Sequence, residues 1–346
     1  MKRHILNPLI TPDMVKASRE GYMVKGSFNP AAVTYKDEIL LLLRVAEGCI
    51  ERNGSAAVPY YQFNNGKGYP EILEKPLDDP ELYLKDTRGV VYRGKDYLST
   101  LSHIRIARSK DGISFTVDEN PFIYPCNQSE SYGVEDTRAT MIGDTYYITY
   151  TAVSPDGWAT ALATTSDFKT IQRKGIIFPP PNKDVSIFPE KINHTYFALH
   201  RPNNQGFGRP SIWISTSHDL LHWGNHKCLL RPRDTIWEEQ KIGGGAAPIK
   251  TSRGWLEIYH AKGMDQVYSL FPVLLDFKDP SKVIAQGREP ILFPEKSYEK
   301  EGFFPNIVFS NGMIKKNNGK LLIYYGACDE SVCLAETSVD DILNTL

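Results

Sequence analysis

The sequence predicts an all-β fold of the β-propeller type, on three observations. A turn followed by a short Tyr/Leu/Ile-rich strand recurs along the chain. A second strand, ending in Ser or Thr and then Asp, follows most copies. Amphipathic stretches of ten or more residues, which helices need, are almost absent. Composition agrees: 19 Tyr, 15 Phe and 5 Trp make the chain 11% aromatic, and 26 Gly with 23 Pro punctuate it, as in folds of many short strands joined by turns.

The first copy of the turn-strand unit is Lys36-Asp37-Glu38-Ile39-Leu40-Leu41-Leu42-Leu43, and the others cover residues 94–100, 143–150, 193–200, 253–260 and 319–325. Each reads as the second strand of a hairpin entered by a tight turn. The Ser/Thr-Asp element covers residues 104–112, 161–168, 212–220 and 332–340. Strand pairs repeating about every 50 to 65 residues suit the four-stranded blades of a propeller. The repeats alone leave the blade count open: there are six turn-strand units, and the first copies either share a blade or flank an insertion around residues 51–86. No Pro/Ser-rich linker or charge run divides them, so residues 1–346 are expected to form a single propeller domain. Such a fold gathers loops at one end of a central channel, where residues distant in sequence meet, in enzymes and binding scaffolds alike.

Several classes are disfavoured. Lys plus Arg number 40 against 41 Asp plus Glu, a net charge of −1, which lacks the footprint of a dedicated nucleic-acid binder. No apolar run approaches the roughly 18 residues of a membrane-spanning helix, and the longest, residues 39–43, is cut by Arg44. Met1-Lys2-Arg3-His4-Ile5-Leu6-Asn7-Pro8 is basic with no apolar stretch behind it, so no signal peptide is expected, and the protein is placed in the cytoplasm. Five scattered cysteines (Cys49, Cys126, Cys228, Cys328, Cys333) show neither zinc spacing nor a disulfide framework, and are expected as reduced thiols.

Among strings that carry chemistry, Gly133-Val134-Glu135-Asp136-Thr137-Arg138 puts two acids beside an Arg just before a strand. It fits a carboxylate at a channel mouth, or a turn with a surface ion pair, and the partial duplicate Asp86-Thr87-Arg88 favours the second. Lys183, in Asn182-Lys183-Asp184, and His200-Arg201 at a neighbouring strand end together suit an anion such as phosphate, or are solvated cations. Gly243-Gly244-Gly245 lacks the phosphate-loop pattern and reads as close backbone packing near the channel. His260 is a ligand or a satisfied strand-end histidine. His218, His222 and His226 fall on a strand and turn, where a zinc site is not expected. Aromatic residues at strand ends, among them Tyr132, Trp158 and Phe304, suit stacking on sugar rings or core packing.

Taken together, these strings resemble glycoside hydrolase family 130, the inverting mannoside phosphorylases and related β-mannosidases. The resemblance covers nearly the whole chain. It runs from Phe28-Asn29-Pro30 and Leu43-Arg44-Val45 through Gly133-Val134-Glu135-Asp136, Lys183-Asp184 and His200-Arg201-Pro202. It continues through Trp237-Glu238, Lys241-Ile242-Gly243 and Ile258-Tyr259-His260 to Tyr324-Tyr325-Gly326-Ala327 and Asp329. It implies a five-bladed β-propeller. It implies that Asp136 is the general acid, which must be protonated near neutral pH, its pKa raised by burial or by Glu135. Lys183 and His200 match phosphate-associated positions, with Arg44, Arg138 and Arg201 as further anion contacts. Asn29 and Asp329 resemble residues that hold sugar hydroxyls, and Tyr325 and His260 are further substrate contacts. Two departures stand out: Thr137 where the family commonly has Pro, and Ala261 where it has Gly.

The implied substrates are a β-1,2- or β-1,4-linked manno-oligosaccharide and inorganic phosphate, with no cofactor and no metal. An inverting hydrolase would instead need a second carboxylate as base, for which Glu239 and Glu257 are the spare acids. The retained cations favour phosphate. A non-catalytic sugar-binding propeller is the reading from another class. Exposed propeller edges allow a homo-oligomer, with no interface identifiable in the sequence.

Overall fold

In the computed structural model, which describes residues 1–50, 53–203 and 206–346, the apolar run at residues 39–43 lies in the strand Glu38–Cys49. Strands Tyr22–Tyr35 and Leu101–Ser109 pair antiparallel with its two edges. Successive side chains point to opposite faces, so a strand wet on one side alternates apolar with polar. Here neither face is wet. Leu40 and Leu42 pack with Ile104, Ile106 and Ile148, while Leu41 and Leu43 pack with Leu322, Tyr324 and Val332. An unbroken apolar run is what two covered faces demand.

The antiparallel pattern recurs along the chain. Gly133–Ile142, Thr145–Ser154, Gly157–Thr165 and Gln172–Phe178 pair in order. So do Asn182–Ile187, Tyr196–Pro202, Ile212–Ser217 and Gly224–Leu230. Lys241–Gly243, Trp255–Lys262, Tyr268–Leu275 and Val283–Gln286 follow. The last set is Val308–Lys315, Lys320–Ala327 and Ser331–Ser338, completed by Lys2–Arg3. Among the described residues, α-helix is confined to Ser297–Lys300 and Val339–Leu343, so the fold is all-β.

Hydrophobic cores lie between consecutive sets. Leu42 and Ile106 meet Val134 and Ile148; Leu162 and Phe178 meet Val185 and Ala198. Phe188 and Leu199 meet Trp255 and Tyr259; Leu256 and Leu270 meet Ile323 and Cys333. The last set packs on the first, through Leu322 and Tyr324 against Leu41 and Leu43. The added strand Lys2–Arg3 is tied down by a buried ion pair. Arg3 Nε donates to Glu299 Oε1 over 2.7 Å, and Tyr325 Oη donates to the same oxygen over 2.7 Å.

The insertion is larger than the sequence suggested. A hairpin, Ser55–Asn64 with Lys67–Pro76, and a three-stranded sheet, Leu82–Leu84, Gly89–Tyr92 and Lys95–Leu98, stand between Glu38–Cys49 and Leu101–Ser109. Residues 51–52 of the expected span lie outside the described residues. The turn-strand unit at residues 94–100 therefore belongs to the insertion, and the other five units fall one in each repeating set. Asp86-Thr87-Arg88 is also here, and Arg88 pairs locally with Asp86.

The Ser/Thr-Asp element has a single physical basis. Asp111, Asp167 and Asp219 each accept backbone N–H groups two and three residues ahead, and each faces a hydroxyl two residues behind. The fourth copy differs, because Ser338 Oγ instead accepts from Asp341 N and caps the helix Val339–Leu343.

The two-faced strand generates a prediction. Leu41→Ala and Leu42→Ala should each cost about 2–5 kcal/mol, read as a lower urea midpoint at unchanged slope. If one of this adjacent pair proves nearly free, one face of the strand is wet.

Candidate active site

The first strand of each of four sets carries a β-bulge at an equivalent place. The register slips between Phe28 and Ala31, between Glu135 and Arg138, between Lys183 and Ser186, and between Phe309 and Gly312. In three of these bulges an Asn or Asp takes the left-handed backbone: Asn29 at φ 45°, Asp136 at φ 47° and Asp184 at φ 56°. These residue types tolerate that conformation best after glycine, and a bulge re-aims the side chain it carries. All three line one cavity of about 760 Å³. Asp329, at φ 51° in the turn after Lys320–Ala327, lines it too.

Asp136 does not stand alone. Arg44 Nη1 donates to its Oδ1 over 3.1 Å, and Asn29 Nδ2 donates to the same oxygen over 3.2 Å. Arg44 also reaches Glu135 Oε1 at 3.0 Å. Burial works to raise the Asp136 pKa, but Arg44, then Lys183 and Arg138, outweigh it and hold the carboxyl below its ordinary value. The sequence expectation of a raised pKa is thus corrected. The raised carboxyl is Asp329, pushed up to about 6 by burial, with Arg44 opposing and the negative charges of Asp136 and Glu135 assisting.

Further cations stand in the same cavity. Lys183, Arg201 and Lys241 all line it. Lys241 is forced well below the ordinary lysine pKa, first by burial and then by Arg201, Lys262 and Lys183. Such crowding of like charge favours an anion. Asp184 supplies the fixed counter-charge: Arg201 Nε donates to its Oδ2 over 2.5 Å, Arg138 Nη2 donates to its Oδ1 over 3.0 Å, and His260 Nε2 lies 3.5 Å away. Lys183 Nζ lies 5.4 Å from the centre of the Trp158 ring and 3.5 Å from Glu135 Oε2.

Seven of the twelve residues given site roles from sequence therefore meet here, Asn29, Arg44, Asp136, Lys183, Arg201, His260 and Asp329, together with the aromatic residues Tyr132, Trp158 and Phe304. Five do not line the cavity. His200 adjoins Arg201 on a strand, and neighbouring strand residues face opposite sides. Its ring stacks on Phe178 at 4.7 Å and its Nε2 lies 3.1 Å from His226 Nδ1, in a separate cleft with Trp213 and Trp223. Tyr325 is buried in the core against Glu299. Arg138 sits behind the cavity wall. Glu239 is exposed, and its neighbour Glu238 is the buried one, bound by Arg233 and Tyr259. Glu257 is buried beneath the glycine run.

Sequence reasoning passed over Lys241, Glu135 and Asp184 as site residues. A signal existed: Lys183-Asp184 repeats the acid-at-the-bulge pattern of Glu135-Asp136, and Lys241 opens the strand that leads into the glycines. Gly243 and Gly245 are obligatory for packing, in line with the close backbone packing expected of the run. A Cβ on Gly243 would come within 2.4 Å of Asp184 Oδ2, and one on Gly245 within 2.2 Å of the Ile258 carbonyl oxygen. Glu257 Oε1 accepts from Gly245 N over 2.8 Å.

Burial pushes the Glu257 carboxyl up to about 8, with the Gly245 N–H and Arg138 pulling the other way. The folded protein thus keeps Glu257 protonated where the unfolded chain, near its ordinary 4.5, has ionised it. The stability this contributes is lost as pH rises through that window. Glu257→Gln escapes the loss, so its stability relative to the unsubstituted protein should rise between about pH 5 and pH 8 in urea titrations. A flat difference over that range would mean an ionised Glu257.

Comparison with known proteins follows the same lines. The family model for glycoside hydrolase family 130, described as β-1,4-mannooligosaccharide phosphorylase, matches residues 83–346. A β-1,2-mannobiose phosphorylase of Listeria innocua is 44% identical, over 99% of this chain and 98% of the relative. A 1,2-β-oligomannan phosphorylase of Thermoanaerobacter sp. is 42% identical over 73% of this chain and 86% of its own. The solved structure of the Listeria innocua β-1,2-mannobiose phosphorylase in complex with β-1,2-mannobiose superposes with a TM-score of 0.95, covering 100% of this chain and 98% of that one. By the family model and by full-length identity, the chain belongs to glycoside hydrolase family 130.

Proposed function

We propose that this chain is an inverting β-mannoside phosphorylase acting on short β-1,2-linked manno-oligosaccharides, with inorganic phosphate as co-substrate and no cofactor. The observation that carries the reading is the cluster of Lys183, Arg201 and Lys241 on the wall of the cavity that also holds Asp136. Phosphate seated on those cations attacks the anomeric carbon from the face opposite the glycosidic oxygen. The anomeric carbon–glycosidic oxygen bond breaks and an anomeric carbon–phosphate oxygen bond forms. Asp136 sends its proton to the leaving oxygen by way of a substrate hydroxyl, and the proton shed by hydrogenphosphate restores it. The products are α-mannose 1-phosphate and a shortened sugar, and the conserved bond energy makes the reaction reversible.

Loading the site resolves the low pKa of Asp136. An anion on Lys183 cancels part of the positive field that holds Asp136 ionised, and a bound sugar excludes water, so both push the carboxyl upward. Asn29 and Trp158 line the cavity, an amide suited to sugar hydroxyls and an aromatic ring suited to a sugar's apolar face. The cavity volume falls in the ordinary range of small-molecule sites, roughly 300–1,000 Å³. Neither Glu239 nor Glu257, the acids offered as a base for water, lines it. The named activity of the Listeria innocua relative supports phosphorolysis and the β-1,2 linkage. The five antiparallel sets, each packed on the next and the last on the first, support a single five-bladed β-propeller domain.

With β-1,2-mannobiose, mannose 1-phosphate should form only when phosphate is present; free mannose released equally fast without phosphate would make the protein a hydrolase. Asp136→Asn should lower turnover by about two to four powers of ten. Lys241→Ala should raise the phosphate KM far more than the mannoside KM, and equal effects would reduce Lys241 to a structural lysine.

A further inference from the structure

Glu257 is a carboxyl in the centre of the fold that the proposed reaction does not use. It is fully buried, and its Oε2 has no protein partner. Burying a carboxyl is costly, and a packing role alone would be met more cheaply by an apolar side chain. What an apolar side chain cannot supply is an acceptor for Gly245 N–H, which Glu257 Oε1 meets at 2.8 Å.

That N–H belongs to a segment whose carbonyls matter. Gly244 O accepts from Arg138 Nη2 over 2.8 Å, and Gly245 O accepts from Arg138 Nε over 2.9 Å. Arg138 uses its remaining donors on the two bulges: Nη1 donates to the Asp136 carbonyl over 3.0 Å, and Nη2 reaches Asp184 Oδ1 at 3.0 Å. Asp184 in turn holds Arg201. An unbroken run of buried hydrogen bonds thus leads from Glu257 through the glycine backbone, Arg138 and Asp184 to a cation on the cavity wall. The glycines have no side chains with which to lock themselves, so their backbone partners set their orientation.

We propose that Glu257 is a positioning residue for the anion site: it orients the glycine segment so that its two carbonyls seat Arg138, which in turn aligns Asp184 and Arg201. This rests on the reading of that cavity wall as a phosphate site. Glu257 itself touches neither phosphate nor sugar. An acceptor in its place is what matters, and its charge is not.

The test uses phosphate titrated calorimetrically into the full chain without sugar, followed by steady-state kinetics. Glu257→Met keeps the length and removes the acceptor. It should weaken phosphate binding and raise the phosphate KM about tenfold, the effect of one lost buried hydrogen bond, with the mannoside KM moving by less than about twofold. Glu257→Gln, which keeps an acceptor oxygen, should bring phosphate affinity back to within about threefold of the unsubstituted protein. If Glu257→Met does not fold, Glu257→Asp, which withdraws the acceptor by one methylene, should weaken phosphate by about two- to fivefold. Equal losses for phosphate and mannoside, or a folded Glu257→Met or Glu257→Asp with unaltered phosphate affinity, would overturn the positioning role alone. No phosphate binding by the unsubstituted protein would overturn the anion site together with it.

Discussion

The buried carboxylate of Asp184 is the interaction on which the site depends. Lys183, Arg201 and Lys241 crowd one cavity wall, and Arg138 lies behind it, so positive charge accumulates where water is scarce. Asp184 is the counter-charge that both arginines touch, and its own pKa is driven far below the ordinary range: burial opposes this, but Arg201, Arg138 and His260 prevail. Losing one partner of such a network leaves a buried charge uncompensated, which typically costs about 3–5 kcal/mol. Asp184 pairs with Arg201 and Arg138, while Lys183 lies near Glu135, so the cations that face the cavity are held by fixed acids on the protein side.

Backbone geometry makes the placement possible. A strand in regular register points alternate residues to its two faces, and both faces of these sheets are filled with apolar side chains. A polar side chain there needs a buried partner, as Arg138 has in Asp184. The bulges interrupt the alternation, and the left-handed residues Asn29, Asp136 and Asp184 turn their side chains into the cavity instead of into a core. Such backbone conformations carry strain, held here by well-packed sheets on either side. The electrostatic pairing then divides labour between two carboxyls near Arg44: Asp136, in direct contact, is held below its ordinary pKa, while Asp329 is lifted toward neutrality.

Much of this was legible in the chain. Turn-strand repetition, the Ser/Thr-Asp turns and the apolar run at residues 39–43 follow from local chemistry that a sequence carries openly. The same holds for Asp136 and Lys183, because each lies in a short string with acids or a cation near a strand end, whereas Asn29 was legible only through the family resemblance. The misplaced residues share a different cause. His200 and Arg201 are adjacent on one strand, and only strand phase tells which of them faces the site; Glu238 and Glu239 lie in a turn, where only packing decides that one is buried against Arg233 and Tyr259 and the other exposed. Composition and spacing do not carry phase when both faces of a sheet are apolar.

The sequence by itself therefore determined the all-β class, the repeating strand pairs, the family resemblance and, in Asp136 and Lys183, the strings that carry an acid and a cation to the cavity. It did so because these depend on periodicity and on residues close together in the chain. Tertiary structure alone decided that the unit at residues 94–100 belongs to an insertion, that His200 turns away, that Lys241 joins Lys183 and Arg201, and that Asp136 sits beneath Arg44 with a lowered pKa. Each of those outcomes depends on distances between residues far apart in sequence, and on the burial and Coulomb fields that arise only once the sheets have packed.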